Sequence, residues 1–253
     1  MTSNIAEIER TYQDSVAERF NKDELKLGVS KRLKEITWKY IMPLLTGKTL
    51  LDIGCGLGFD SILFAKLGYK VMGVDISPIS IQKAKILSEE MEVSDKTNFL
   101  VANIDVDQIP GKFDIVLCRS VLHHLTTYSL EESIKKIKSC LVPSGRAIFI
   151  EPLDKNPLAN INRTILDPYD RSPTEKPLNL SRTLDAFKSC FKYVRHRELA
   201  LFSGASYFFH YRWPALYETL QKILDDIDNF LLRIAPKLRE YAWITIIDTS
   251  DVL

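Results

Sequence analysis

The stretch that decides the fold is LLDIGCGLGFD, residues 50–60, where three glycines fall within five positions after an apolar run. Gly54, Gly56 and Gly58 predict a tight turn that a ligand approaches closely, because glycine has no side chain and adopts positive φ. Such a turn between a buried strand and a helix is typical of the ligand-binding edge of an open α/β sheet. The carboxylate of Asp52, just before the first glycine, suits a ligand with a cationic amine.

The same stretch departs from the phosphate-binding motifs. The dinucleotide motif GxGxxG requires a third glycine at position 59, which is Phe59 here. The Gly-Lys-Ser/Thr ending of a P-loop does not follow the glycines either. The turn is therefore expected to hold a nucleoside ligand by something other than a pyrophosphate group.

Apolar strand-like segments alternate with helical segments after this turn, which predicts a parallel sheet with helices on both faces. The predicted strands are 49–53, 69–75, 97–103, 112–118, 145–151, 191–202 and 241–248. The predicted helices are 60–67, 79–90, 130–140, 181–190 and 213–235. Ser77 and Ser181 are the candidate N-caps of the second and fourth of these helices.

The segment before the turn, from residue 4 to about 45, is predicted to be helical. Its first part carries an apolar stripe at helical spacing, formed by Ile5, Ile8, Tyr12, Val16 and Phe20. The expected organisation is a helical cap over residues 1–46 and a second domain over residues 47–253. Segments at about 152–180 and 203–238 are expected to be inserted loops that form the substrate side.

Composition narrows the class of protein. The formal net charge is +1, from 34 basic and 33 acidic side chains, and gives no support for a nucleic-acid partner. The four cysteines form no CxxC pair and are expected to be free thiols. The N-terminus lacks the apolar core of a signal peptide, and no apolar run approaches the roughly 20 residues that span a bilayer. A cytoplasmic protein without stable membrane insertion is expected, and its oligomeric state stays open.

Two further strand ends carry side chains that suit a nucleoside. Asp75 ends the second strand, where its carboxylate is expected to accept hydrogen bonds from both ribose hydroxyls. Asn103 ends the third strand, where its amide oxygen is expected to accept from an adenine amino group. Ile76 and Ile104 follow these two residues and are expected to sandwich the ring.

These features together resemble the class I S-adenosylmethionine-dependent methyltransferases. LLDIGCGLGFD is similar to that family's first motif, VMGVDIS to its second and FDIVLCRSVLHHL to its fourth-strand motif, so the resemblance covers residues 48–151. It implies an α/β fold, Rossmann-like, with a seven-stranded, mostly parallel sheet, an antiparallel C-terminal strand and helices on both faces. It also implies that S-adenosylmethionine is the cofactor.

The resemblance implies roles for individual residues. The residues implied to hold the methionine part of the cofactor are Asp52, Gly54, Cys55 and Gly56. Arg119 is expected beside the amino-acid end of the cofactor, where backbone contacts are favoured. The family often has Asp at the adenine position, and Asn103 keeps the acceptor there while losing the charge.

Three residues are candidates for catalysis. His123 and His124 follow the fourth strand, and one of them is expected to face the pocket as a general base, because adjacent side chains rarely point the same way. The alternative is that both histidines serve a structural turn. Glu151, at the end of the fifth strand, is expected near the acceptor or, alternatively, as a solvated strand end. No metal site is expected from this pair of histidines.

The substrate side is expected to include Tyr12 from the cap and Arg163, Tyr169 and Arg171 from the first loop. Residues 201–217 carry seven aromatic side chains, among them Tyr207. These aromatics either line a pocket for the acceptor or anchor the 213–235 helix to the sheet.

The expected function is transfer of a methyl group to a small-molecule acceptor, on an oxygen atom and in a biosynthetic pathway. Two alternatives stay open. One is methylation of carbon or nitrogen in a quinone-like or amine substrate. The other is a methyltransferase-like binding module that has lost turnover.

Overall fold

The computed structural model describes residues 2–19, 31–125, 129–161, 172–209 and 213–252. The strands are β1 Thr49–Ile53, β2 Lys70–Asp75, β3 Thr97–Val101, β4 Phe113–Arg119, β5 Leu141–Pro152, β6 Tyr193–Leu199 and β7 Ile244–Ser250. The helices are α1 Thr2–Arg19, α2 Lys31–Ile41, α3 Phe59–Lys66, α4 Pro78–Glu90, α5 Leu130–Lys138, α6 Pro157–Ile161, α7 Leu180–Cys190 and α8 Pro214–Ile234. Short 3-10 helices lie at Met42–Leu44, Leu122–His124, Ser203–Phe209 and Pro236–Tyr241.

The strands form a seven-stranded sheet in the order β3-β2-β1-β4-β5-β7-β6. β7 runs antiparallel to both of its neighbours, β5 and β6, whereas the pairs between β1, β2, β3, β4 and β5 are parallel. The strand order reverses between β1 and β4, which is where an open α/β sheet binds its ligand. The predicted fold class is confirmed, including the antiparallel C-terminal strand.

The core has two layers because successive strand residues point to opposite faces. On β4, Val116 and Cys118 pack with Ile134 of α5 on one face, while Leu117 packs with Phe64 of α3 on the other. All five side chains are fully or almost fully buried. Burial on both faces explains why the strands are continuous apolar runs rather than alternating patterns.

Helix α4 begins as predicted, whereas α7 does not. Ser77 caps α4 by accepting a hydrogen bond from the backbone of Ser80 at 3.0 Å. The expectation that Ser181 caps α7 is wrong: Asn179 is the N-cap, and the Ser181 hydroxyl donates to Glu240 instead. Asn, Asp and Ser cap helices about equally well, so local sequence does not choose between positions two residues apart.

Helix α1 packs across α4, but with a different face from the predicted one. Ile8 is 41% exposed, whereas Glu9 and Ala17 are buried. Phe20, the last residue of the predicted stripe, lies outside the described residues. The Lys83 side chain donates to the carbonyl of Ala17 at 2.6 Å, and the Ser77 hydroxyl donates to Asp14. These polar contacts turn the helix so that Glu9 faces the end of the sheet.

Part of the segment expected to be an inserted loop has regular structure. β5 continues to Pro152, Leu153 forms a bridge with Leu178, and Pro157–Ile161 is helical. The bridge and the backbone bond from Leu178 to the Pro152 carbonyl fasten the returning segment to the end of β5. In the described ranges, no helix is long and apolar enough to cross a membrane.

Candidate active site

A cavity of about 150 Å³ lies at the carboxyl ends of β1, β2 and β4, and α1 forms its roof. The turn after β1 contributes Gly54 and Gly56, and α1 contributes Glu9 and Gln13. The other walls come from the segments that follow β2, β3 and β4. The cavity therefore occupies the position that the strand order predicts for a ligand.

The three glycines of the turn all have positive φ, between 51° and 79°. A side chain at Gly54 would come within 2.1 Å of Val121, and one at Gly58 within 2.9 Å of Ala84. A side chain at Gly56 would meet no atom within 4 Å, because this glycine faces the open cavity. Gly54 and Gly58 are thus required by packing, whereas Gly56 leaves space for a ligand against the backbone.

Asp52 and Cys55 lie beneath the turn rather than at the cavity surface. The Asp52 carboxylate is 3% exposed and accepts a hydrogen bond of 2.6 Å from the Ser61 hydroxyl. Burial, followed by the negative charge of Asp60, raises the pKa of Asp52 to about 7. Cys55 packs with Ile81 of α4, and burial raises the pKa of its thiol well above the ordinary range.

Asp75 connects the second strand to the glycine turn and lines the cavity. Its two oxygens accept backbone hydrogen bonds from Gly56 at 2.8 Å and Ser77 at 2.9 Å. Burial raises the pKa of Asp75, and these two bonds reduce that rise. Each carboxylate oxygen has a second lone pair, so the group keeps acceptor capacity for ribose hydroxyls. Ile76 lines the cavity beside it.

The segment after β3 brings three side chains to the cavity. Asn103 and Ile104 line it, as the sequence predicts for an adenine site, and so does Asp105. The Asn103 side-chain oxygen accepts from the Asp105 backbone at 3.0 Å and thereby holds the local turn. Asp105, which sequence reasoning missed, is 4% exposed and accepts from the Ser133 hydroxyl at 3.1 Å.

Arg119 at the end of β4 lies outside the cavity lining. Its guanidinium pairs with Asp60 at 2.5 Å, across the start of α3. The next residue, Ser120, has φ of 56° and lines the cavity. This left-handed residue turns the chain sharply after β4 and aims the two histidines that follow.

His123 points under this turn, away from the cavity. It is 5% exposed, and its Nδ1 lies 2.6 Å from an oxygen of Glu151, which is 1% exposed. The other oxygen of Glu151 accepts backbone hydrogen bonds from Val121 at 3.1 Å and Leu122 at 2.9 Å. The structure thus places Glu151 inside the protein, where it holds the histidine turn, and neither residue lines the cavity.

His124 faces the cavity, with Glu9 of α1 as its partner. The His124 Nδ1 lies 3.4 Å from a Glu9 oxygen, without the alignment of a hydrogen bond, so the contact is mainly electrostatic. Glu9 also accepts from Gln13 at 2.7 Å and from the hydroxyls of Ser172 and Thr174. The pair therefore connects α1, which covers the cavity, to the turn after β4.

Each member of the pair shifts the titration of the other. Burial raises the pKa of Glu9, but His124 and the hydrogen bonds from Gln13 and Ser172 outweigh it and lower the pKa to about 2. Burial lowers the pKa of His124, but the Glu9 carboxylate outweighs it and raises the pKa above the ordinary value. Both groups are thus favoured in their charged forms.

The predicted substrate residues are only partly described. Arg163, Tyr169 and Arg171 lie outside the described residues, and the structure describes the backbone but not the side chain of Tyr207. Tyr12 is half-buried and lies outside the cavity lining, where its neighbours Glu9 and Gln13 are found instead. Glu9 could have been found from its spacing, because it lies four positions after Ile5 and therefore on the same face of α1.

Among the aromatics of the 201–217 segment whose side chains the structure describes, two are exposed and one is buried. Phe202 is 44% and Trp213 is 53% exposed, whereas Tyr217 is 8% exposed. The burial of Tyr217 agrees with the anchoring alternative, and none of these three side chains lines the cavity. Among the residues that the structure describes, no group of three or more His, Cys, Asp or Glu could hold a metal ion.

The chain belongs to the methyltransferase domain family, whose model matches residues 44–184, more than half of the sequence. The predicted class, S-adenosylmethionine-dependent methyltransferases, is confirmed, and so is its cofactor. The cavity fits that cofactor, because Gly56 leaves the backbone open beside Asp75 at the strand ends.

Two curated relatives are similar over this region. The chain is 32% identical over 117 residues to the ubiquinone biosynthesis O-methyltransferase of Pseudomonas paraeruginosa. The matched region covers 46% of this chain and 48% of that protein. It is 34% identical over 127 residues to the mitochondrial ubiquinone biosynthesis O-methyltransferase of Schizosaccharomyces pombe. Here the matched region covers 48% of this chain and 40% of that protein. The chain thus matches about half the length of these relatives, or less.

Solved structures resemble the fold over nearly the whole chain. Geranyl diphosphate C-methyltransferase from Streptomyces coelicolor has a TM-score of 0.66 at 13% identity, over 98% of both chains. Magnesium protoporphyrin IX methyltransferase from Synechocystis has a TM-score of 0.60 at 16% identity, over 95% of this chain and 97% of that one. At such identities the likeness concerns the fold.

Proposed function

We propose that this protein transfers a methyl group from S-adenosylmethionine to an oxygen atom of a small molecule in a biosynthetic pathway. The observation that carries the proposal is the position of His124, whose ring faces the cavity formed by the predicted cofactor residues. The similarity to two ubiquinone biosynthesis O-methyltransferases supports an oxygen acceptor.

In this proposal the residues at the end of each strand bind a different part of the cofactor. Gly56 leaves room for the methionine part, Gly54 keeps the turn beside it tight, and the Asp52 carboxylate beneath them supplies negative charge for the amine. Asp75 binds the ribose, and Asn103 with Ile104 meets the adenine. When bound, the cofactor supplies a sulfonium-activated methyl group, and the enzyme contributes by holding the acceptor in line with it.

His124 is the proposed general base for an acceptor hydroxyl. A histidine at the cavity surface can take the proton of a hydroxyl as that oxygen is methylated. Glu9 opposes this role at rest, because it raises the pKa of His124 and favours the imidazolium. The base is therefore expected to act above that pKa, once His124 is neutral. His123 and Glu151 hold the turn that positions it.

The domain roles remain proposals. Residues 1–46 are proposed to act as the cap over the cofactor, and residues 47–253 as the methyltransferase domain. The segments at about 152–180 and 203–238 are proposed to form the substrate side, with Tyr12, Arg163, Tyr169, Arg171 and Tyr207 as contacts. The hydroxyls of Ser172 and Thr174 donate hydrogen bonds to Glu9, and these contacts between the first loop and the cap support a common substrate side.

A second candidate is methylation of carbon or nitrogen. The ion pair of His124 with Glu9 favours it, because a protonated imidazole cannot accept a proton. An acceptor carbon or amine of sufficient nucleophilicity does not need a base of this kind.

The test combines cofactor binding with product analysis. Calorimetry is expected to show that the wild-type protein binds S-adenosylmethionine tightly. Asp75→Ala is expected to weaken this binding by at least roughly tenfold, because a charged hydrogen bond is lost. The control is Asp95→Ala, which removes an exposed carboxylate ahead of β3 and is expected to leave binding unchanged. Methyl-labelled cofactor with a panel of phenols, quinols, amines and hydroxy acids is expected to place the label on oxygen. A label on carbon or nitrogen would support the second candidate, and binding without turnover on any acceptor would support a silent binding module.

A further inference from the structure

Helix α8 presents its apolar face outward. Five large apolar side chains on it are between 42% and 61% exposed: Leu216, Ile223, Ile227, Phe230 and Ile234. With the half-buried Leu220 they repeat at spacings of four and three, the heptad pattern of a helix that packs against another helix. At about 100° per residue, the six lie within about 40° of one line along the helix. We call this set the outer stripe.

The inward face of α8 is largely polar. Gln221, Asp225 and Asp228 are between 3% and 7% exposed, with the apolar Tyr217 and Leu232 at the ends of the same face. Asp228 accepts backbone hydrogen bonds from Phe202 at 2.8 Å and Ser203 at 2.9 Å. A rotation that buried the outer stripe would take Asp228 off these two amides and leave them unpaired, at a cost of about 1–3 kcal/mol each. Asp228 therefore fixes the stripe on the outside.

The exposed stripe is large for a monomer. Five half-exposed side chains present on the order of 500 Å² of apolar surface, near the upper end of the largest patch on typical monomers. Two such stripes facing each other, with their flanking residues, would bury about the 1,200 Å² at which specific interfaces begin. The area thus suits a second copy of the same surface.

The charges beside the stripe also suit a second copy. Asp226 and Arg233 are both exposed and lie one heptad apart along the same edge of the stripe. In an antiparallel pair of α8 helices that crosses between them, Asp226 of each copy lies opposite Arg233 of the other, so the two-fold axis forms two ion pairs. Lys222 and Asn229 complete an edge of mixed sign, which lacks the basic rim of a helix that binds acidic lipid.

From these observations we infer that the outer stripe of α8 is the interface of a homodimer in which two α8 helices pack antiparallel. The surface is formed by the segment between β6 and β7, outside the lining of the cofactor cavity. The inference is therefore independent of which acceptor the enzyme methylates.

Sedimentation velocity over a low to high micromolar range tests the dimer. The wild-type protein is expected to be dimeric, and Phe230→Asp is expected to raise the dimer dissociation constant by roughly 100-fold, as for loss of a central aromatic contact. The matched control is Ile86→Asp, which places the same charge on α4 at a side chain that is 49% exposed. The control is expected to remain dimeric. Circular dichroism and S-adenosylmethionine binding confirm that each variant is folded.

Charge reversal tests the antiparallel arrangement. Asp226→Arg and Arg233→Asp are each expected to weaken the dimer about tenfold, since each places like charges together, and the double variant is expected to restore it. A wild-type protein that is monomeric throughout the range overturns the inference, as does a dimer that Phe230→Asp leaves intact. Monomers that instead bind neutral phosphatidylcholine vesicles through the stripe would also overturn it.

Discussion

Two histidine–glutamate pairs lie back to back at the turn after β4, and they differ in almost everything except composition. His123 and Glu151 are both nearly inaccessible, join at 2.6 Å and hold the turn together. His124 and Glu9 lie at 3.4 Å on the cavity side and come from elements more than a hundred residues apart. The comparison teaches that adjacent identical residues come to face opposite sides when the backbone turns sharply, one into the core and one into the cavity.

The largest expected effect separates the two histidines by activity. His124→Ala is expected to lower kcat by roughly 10² to 10⁴, the usual contribution of a general base, without weakening cofactor binding. His123→Ala is expected to retain kcat in the folded fraction, because the ring does not reach the cavity. Steady-state kinetics at saturating cofactor measure both. Equal losses of kcat in the two variants would erase the distinction.

The next effect separates the two glutamates by stability. Glu151→Ala is expected to lower the free energy of unfolding by about 3 kcal/mol, because it leaves His123 and two backbone amides buried without their partner. Glu9→Ala is expected to cost less, since its partners His124 and Gln13 line the cavity, where water can replace the carboxylate. Urea unfolding followed by circular dichroism measures both. Glu151→Gln is the control, because its carbonyl oxygen still accepts from the amides of Val121 and Leu122.

A smaller effect concerns the pH dependence of the cavity pair. If neutral His124 is the base, kcat/KM rises with pH through its raised pKa. Glu9→Gln removes the charge that raises that pKa, so the rise is expected to move to lower pH. Glu7→Gln, an exposed neighbour on α1, is the control. A profile that stays in place in Glu9→Gln would show that His124 is not the titrating base.

A last comparison is that of Glu151 with Asp52, a buried carboxylate whose hydrogen-bond partner is the neutral hydroxyl of Ser61. The pKa of Asp52 is raised from 3.8 to about 7, so the folded state keeps a proton that the unfolded state loses. Asp52 therefore supports stability at low pH, and that support is lost as the pH rises from about 4 to 7.

Asp52→Asn is accordingly expected to stabilise the cofactor-free protein at pH above 7, where the wild-type carboxylate is charged in a buried site, and to change little below pH 4. Thermal unfolding across this range measures the difference. The same variant is expected to bind S-adenosylmethionine more weakly, because it removes the negative charge proposed for the amine. Tighter binding in Asp52→Asn would contradict that role.

Cofactor-side features could be predicted because they are local. The glycines, Asp75 and Asn103 sit at turns whose positions follow from strand periodicity, and parallel strands bring their carboxyl ends to one edge. The rotation of α1 could not be predicted, because Ile8 and Glu9 both fit a helical stripe. Contacts of Ala17 and Asp14 with α4 decided it.

The sequence by itself determined the sheet, the glycine turn and the family, since these depend on residue spacing and on glycine's freedom at positive φ. Only the tertiary structure decided which histidine faces the cavity, through the left-handed Ser120 and the buried Glu151. It also decided that α8 turns its apolar stripe outward, because Asp228 is needed by two backbone amides. In each case a buried polar group had to find its hydrogen-bond partners, and those partners are distant in sequence.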